Sequence, residues 1–260
     1  LALNYPLDST LFLDIETAPI CKTFDEMSTA MQEMWLHKCL NSQVMKEGGN
    51  PKQAFFEKAG IYAEFSKVIC ISVGYLQITE EYDPVTNKNI QIPVQIRIRS
   101  FSGHNERIVL LEFAEMVNKY YADGSRNAWV AHNGLEFDYP VLSRRMIVNR
   151  VPLPKPLDIA GSKSWNNAWL LDTMNLWKFG DYKSYTSLAL LAAVFDIPTP
   201  KDDISGKDIA DVYYNQSDLA RIINYCQKDV ITLIKIYCRI HLLELPENIE
   251  IVIKEDFAID

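Results

Sequence analysis

Two carboxylates set two residues apart on a strand leave the same face, and hard oxygen donors on one side are what a divalent cation needs. The sequence offers such a pair, Asp14 and Glu16, in "TLFLDIET". Two more acids stand beside apolar segments: Asp138 in "VAHNGLEFDYPV", and Asp229 in "YCQKD", with Tyr225 four residues earlier on the same helical face. Each alone has an ordinary reading. A lone D-x-E is normally a solvated strand end, Asp138 a helix cap before "YPVL", Tyr225 core packing with its hydroxyl at the surface, and Asp229 a solvated helix position. Brought to one place, they would gather cations that present positive charge to an anionic substrate such as a phosphate.

The elements that must position them are legible from periodicity. "TLFLDIET" reads as a buried strand, "KVICISVGYLQI" as a second, and "IQIPVQIRIRS" as a third with Ile90, Ile92, Val94, Ile96 and Ile98 on one buried face. Pro93 marks the third as an edge strand, and "TEEYDPVTNKN" before it is rich in turn residues. "ERIVLLEFAEMVNKYY" is an amphipathic helix, "AWVAHN" a fourth strand, "YPVLSRRMIVNR" helical, and "AWLLDTMNLW" holds a fifth short strand. A long helix runs from Ser217, its expected N-cap, to about Ile240. Residues 21–60 carry helix-like segments and the breaker "EGGNP", so they read as a helical insertion whose loop near Gly48 is expected to be mobile. Three strands followed by alternating helix and strand give a mixed sheet flanked by helices, in a single domain over residues 1–260.

Composition narrows the class. Apolar residues make up 48% and charged residues 23%, as in ordinary globular proteins. No window approaches the roughly 18 apolar residues of a membrane span, and "LALNYPLDST" lacks a basic signal region, so a cytoplasmic protein is expected. The five cysteines are scattered without a C-x-x-C pair, which argues for reduced buried thiols and against zinc. A net charge of −8 speaks against coating nucleic acid by phosphate neutralisation, but not against a site that binds phosphate through metals.

Asp14-Ile15-Glu16, then Asn133 with Phe137-Asp138, Pro140 and Leu142, then Tyr225 with Lys228-Asp229, resemble in order the three exonuclease motifs of the DEDD superfamily. The resemblance is greatest to the proofreading exonuclease domain of family B DNA polymerases and to stand-alone predicted 3′-5′ exonucleases related to it. Asn224 stands where the histidine subclass has its His, which points to the tyrosine subclass, DEDDy. With about thirty residues after Asp229, a stand-alone enzyme is expected.

The resemblance implies an α/β, RNase H-like fold with a mixed central sheet of about five strands, the first central, and helices on both faces. It implies a metal-dependent 3′-5′ exonuclease that removes nucleoside monophosphates from single-stranded ends, DNA before RNA. Asp14, Glu16, Asp138 and Asp229 would hold two divalent cations, Mg²⁺ or Mn²⁺, and Tyr225 would orient the attacking water rather than act as a base. Thr17, Asn133 and Phe137 would meet the terminal nucleotide, and a replication or repair protein is the macromolecular partner to expect. His132 is read as a strand-end histidine bonded to backbone, Asp172 as a structural residue, Glu136 as solvated, and Lys201 and Lys207 as solvated loop lysines. The rival from another class is an inactive module of the same fold that binds single strands or a protein.

Overall fold

Thr10–Pro19 forms β1, and it is buried along almost its whole length because β2 pairs along one edge and both its faces are covered. The computed structural model describes residues 3–40, 49–84, 87–163, 166–181, 185–198 and 204–254. The loop near Gly48 and Lys201 lie outside them.

After β1 the chain forms α1 (Thr29–Leu40) and α2 (Pro51–Lys58), then β2 (Ser66–Asp83), β3 (Lys88–Ser102) and α3 (Glu106–Tyr120). β4 (Ala128–Ala131), α4 (Asp138–Val148), β5 (Leu170–Asp172) and α5 (Thr173–Lys178) follow. The chain continues with α6 (Leu188–Val194), α7 (Ile209–Tyr214), α8 (Leu219–Ile240) and β6 (Glu250–Lys254). The strands join in one sheet of order β5-β4-β1-β2-β3-β6. Pairing is antiparallel at β1–β2 and β2–β3 and parallel at β1–β4, β4–β5 and β3–β6, so β2 alone runs backwards. This mixed sheet with β1 inside is the RNase H-like arrangement, with a sixth strand where five were expected.

Alternation along β1 sends its residues to two cores. Leu11, Leu13 and Ile15 pack with residues of α3 and α4, among them Leu110, Phe113 and Leu142. Phe12 packs on the other face with Val130 and with Val230, Leu233, Ile234 and Tyr237 of α8. Among the described residues no helix is long and apolar enough to cross a membrane.

Four expectations are corrected. The tract "TEEYDPVTNKN" is mostly strand, since β2 runs to Asp83 and β3 begins at Lys88 as a long hairpin. That hairpin extends past the last residue of β2 paired to β1, Gly74, so alternation no longer means burial there: Ile96 and Ile98 are buried but Ile90 is 42% exposed. β3 is not an edge strand over Gln95–Arg99, where β6 covers it; Pro93 lies beyond that cover, at the register shift opposite Gln77 and Ile78. A proline at such a bulge takes no N–H from the ladder. Finally, the N-cap of α8 is Asp218, whose carboxylate accepts from Arg221 N at 3.0 Å, because Ser217 sits in the left-handed region with φ 54°.

The insertion at 21–60 is helical as expected and has its own core, in which Trp35 meets the rings of Phe55, Tyr62 and Phe65. It ends beside β1, where the Gly60 carbonyl accepts from Thr17 Oγ1 at 2.7 Å.

Candidate active site

β1 outruns its parallel neighbour. Its pairing with β4 stops at Phe12↔Val130, while β1 continues to Pro19 with only β2 beside it. One edge of β1 is therefore open beyond the carboxyl end of β4, the kind of crevice in which open α/β sheets bind ligands. Asp14 and Glu16 lie on this overhang, with Glu16 8% exposed and Asp14 half-buried. A register shift follows immediately between Glu16 and Thr17, where β2 carries an extra residue, Ile69.

Asp138 reaches the overhang from the other side. It is in the first turn of α4, 3% exposed, and its carboxylate accepts from the free-edge amide of Ile15. The segment that brings it there is tightly held. Asp172 at the end of β5 accepts from Asn133 N at 2.9 Å and Leu135 N at 3.2 Å while capping α5 through Met174 N at 2.9 Å. Asn133 adopts φ 61°, a conformation Asn tolerates better than most residues. Gly134 must be glycine for space, since a Cβ there would lie 2.4 Å from Ala131 Cβ and 3.1 Å from the Tyr139 ring.

The third contribution comes from α8, which approaches the sheet closely because Gly74 lacks a side chain. A Cβ at Gly74 would lie 2.8 Å from Val230 and 3.0 Å from Ile234. This seats Asp229, Cys226 and Tyr225 over the β1 overhang. The Cys226 thiol donates to Asp14 at 3.3 Å from Oδ2 and 3.4 Å from the backbone oxygen. Donor atoms of Asp14, Glu16 and Cys226 lie within 4.8 Å of one another, a set that could hold a metal ion. Asp138 and Asp229 lie outside that group, yet both act on it by charge. The Tyr225 hydroxyl donates to the Asp229 carboxylate.

The electrostatics follow from crowding acids in a shielded place. Burial, then repulsion by Asp229 and Asp138, holds the Asp14 carboxyl well above the usual carboxylate range. Burial and then Asp14 and Asp229 do the same to Glu16. Asp138 is pushed up to about 7, mainly by burial and further by Asp172, against the lowering effect of its own and the Ile15 amide. Asp138 Oδ1 is buried with no hydrogen-bond partner among the described residues. Burial and the charges of Asp229, Glu16 and Asp14 raise Tyr225, so its hydroxyl stays protonated.

The remaining residues singled out from sequence have the following places. Thr17 spends its proton on Gly60, leaving its oxygen as an acceptor. Asn133 Oδ1 is buried without a partner among the described residues, and Phe137 is partly buried against the core as the N-cap of α4. His132 lies between Thr173 Oγ1 and the Thr186 carbonyl, each at 2.9 Å. Facing a carbonyl, Nε2 must carry the proton, and burial lowers the pKa, so the ring is a neutral brace. Glu136 and Lys207 are exposed.

Sequence reasoning missed Cys226, counted only as an apolar position of the helical stripe; its place directly after Tyr225 and three before Asp229 was the available signal.

Comparison with known proteins gives two findings. Residues 63–249 match the family described as "Predicted 3'-5' exonuclease related to the exonuclease domain of PolB"; Asp138, Tyr225 and Asp229 fall inside that span, and Asp14 and Glu16 precede it. A solved structure of the family B DNA polymerase from the hyperthermophilic archaeon Pyrobaculum calidifontis aligns with 87% of this chain at 15% sequence identity and a TM-score of 0.47. The chain spans 24% of that polymerase. No curated protein sequence matches. Since the matched span covers well over half of the 260 residues, the chain belongs to the family of predicted 3′-5′ exonucleases related to the exonuclease domain of PolB.

Proposed function

We propose that this exonuclease acts on single-stranded 3′ ends, DNA in preference to RNA, releasing nucleoside monophosphates with two divalent cations, Mg²⁺ or Mn²⁺. The observation that carries the reading is the convergence of four carboxylates from three separate segments on the β1 overhang, where burial and mutual repulsion make them costly. A purely structural role gives no return for that cost; binding of cations does. The donor set fits hard cations, being four carboxylates of which one, Asp138, has a buried oxygen without a hydrogen-bond partner among the described residues. Asp14, Glu16, Asp138 and Asp229 would be the ligands. Bound there, the cations would activate water and neutralise charge developing on the phosphodiester.

The other residues hold and orient. Tyr225 keeps its proton, so it positions water by a hydrogen bond and does not remove a proton. Cys226 fixes the Asp14 carboxylate through its S–H, and the Ile15 amide fixes Asp138. The Thr17 oxygen would accept from the terminal 3′-hydroxyl, and Asn133 and Phe137 would meet the terminal nucleotide. Residues 1–260 would act as one exonuclease domain, with the insertion at 21–60 joined to β1 through the Thr17–Gly60 hydrogen bond.

The test is a time course with 5′-labelled single-stranded DNA and RNA in Mg²⁺ or Mn²⁺. A ladder shortening from the 3′ end is expected, faster on DNA, and absent with Asp14→Ala or Asp229→Ala. A ladder that survives both substitutions would remove the site assignment; no cleavage with either metal would favour a binding module.

A further inference from the structure

A second concave site lies on the opposite face of the sheet and at its opposite end. It is a cavity of about 790 Å³, within the size range of small-ligand pockets. Its floor is built from facing residues of three strands: Tyr75 of β2 pairs with Arg97 of β3, and Arg99 of β3 pairs with Lys254 of β6. Partners in a ladder point their side chains to the same face, so two guanidinium groups and an ammonium come together there. The wall is the end of α3, with Tyr120 and Tyr121. Asp14 and Glu16 alternate with Leu13 and Ile15 and face α8, so they are on the far side of β1 from this cavity.

The chemistry of the lining is the reverse of the rest of the molecule. In a chain of net charge −8, three cationic side chains meet one acid, Asp8, among the described residues lining the cavity. Arg97 and Lys254 are exposed and have no ion-pair partner among the described residues. The Arg99 guanidinium lies 4.5 Å from the centre of the Phe101 ring. Tyr120 is 59% exposed, lines the cavity and carries the Lys119 ammonium 5.1 Å from its ring centre. Cations that track phosphates interleaved with aromatic rings that accept bases form the common platform for single strands.

We propose that this cavity is a second nucleic-acid site, holding one nucleotide of a single strand away from the active site, with phosphate at Arg97 and Lys254 and the base against Tyr120 and Tyr75. It rests on the reading of the chain as acting on nucleic acid. Its effect would be retention: a long strand stays attached while its 3′ end is trimmed.

The experiment measures fluorescence anisotropy of a labelled single-stranded 20-mer as a function of salt, using the full chain with Asp229→Asn in EDTA so that nothing is cut. Adding Arg97→Glu with Lys254→Glu should weaken binding about tenfold or more and flatten the salt dependence by about 0.7 in log–log slope, the loss of one phosphate contact. Tyr120→Ala should cost about fivefold or more by loss of stacking. Without Asp229→Asn, the double charge reversal should still trim a trinucleotide at the normal rate. Unchanged affinity and unchanged salt slope in the double variant would overturn the proposal. If that variant loses binding while the unmodified chain cleaves nothing, the active-site reading fails and this one stands.

Discussion

At the scale of single residues, the informative contact is between Tyr225 and Asp229. A phenol that donates to a carboxylate and is surrounded by two more is held protonated, so any contribution to turnover comes through orientation. Tyr225→Phe keeps the ring packing and removes only the hydroxyl. It should lower kcat about 10²-fold with KM little changed, and leave the alkaline limb of the pH–rate profile where it was. A shift of that limb would show the hydroxyl titrating instead. Cys226→Ser should lose little activity, since Ser can also donate to Asp14, whereas Cys226→Val should cost roughly tenfold in steady-state kcat/KM as the carboxylate loses its fixed orientation. The identity of the four acids and the tyrosine was readable because each has a fixed spacing within its own segment. The role of Cys226 was not: a thiol at an apolar position looks like core until a strand from the other end of the chain is seen beneath it.

Among elements, the segment between β4 and α4 shows how much positioning lies outside the acids themselves. Gly134 and Asp172 set its path. Gly134→Ala should destabilise by about 1–3 kcal/mol through overpacking, and activity should fall further than unfolding explains, because Asp138 moves with the displaced turn. Urea denaturation beside kcat on the folded protein separates the two. Glu106 of α3 and Arg145 of α4 tie the helices together. Arg145 donates to it at 2.8 and 2.6 Å, Val68 N and Asn149 add bonds of 2.8 Å each, and Arg145 also reaches the Ala63 carbonyl at 2.9 Å. Arg145→Ala leaves the Glu106 charge buried without its cationic partner and should cost about 3–5 kcal/mol, read as a lowered urea midpoint. Periodicity located the strands and long helices because one buried face imposes it. It failed at Ile90 and Ser217 for local reasons: a hairpin that overhangs its sheet, and a left-handed turn that hands the cap to the next residue. β6 was missed because a five-residue edge strand with an exposed face carries little alternation in burial. The Glu106–Arg145 tie joins residues 39 apart in sequence and has no local signature.

For the whole molecule, the acid cluster links stability to pH and to metal. Asp138 has its carboxyl raised to about 7 in the fold, against the ordinary value of 3.8, so the folded state holds that proton more tightly than the unfolded chain. Asp14 and Glu16 are shifted in the same direction. A raised group stabilises fully below its unfolded value and loses that stabilisation as pH rises through the folded one. Metal-free protein should therefore lose Tm as pH rises from about 5 to about 7 because of these groups, and Asp138→Asn should flatten the slope. Divalent cation should reverse the trend by favouring the ionised acids, adding about 2.7 kcal/mol at a hundredfold excess over Kd. Thermal melts in EDTA and in Mg²⁺ across this range check both signs.

The mismatch in length between β1 and β4 has a consequence for how such a site can be lost. Were β4 to run two or three residues further, its ladder would take up the Ile15 amide, and the carboxylate of Asp138 would be evicted with no change in any of the five chemical residues. On the proposed reading of the site, strand length would act as a latch on activity. An insertion or deletion near residues 131–133 could silence the enzyme while every motif still reads as intact.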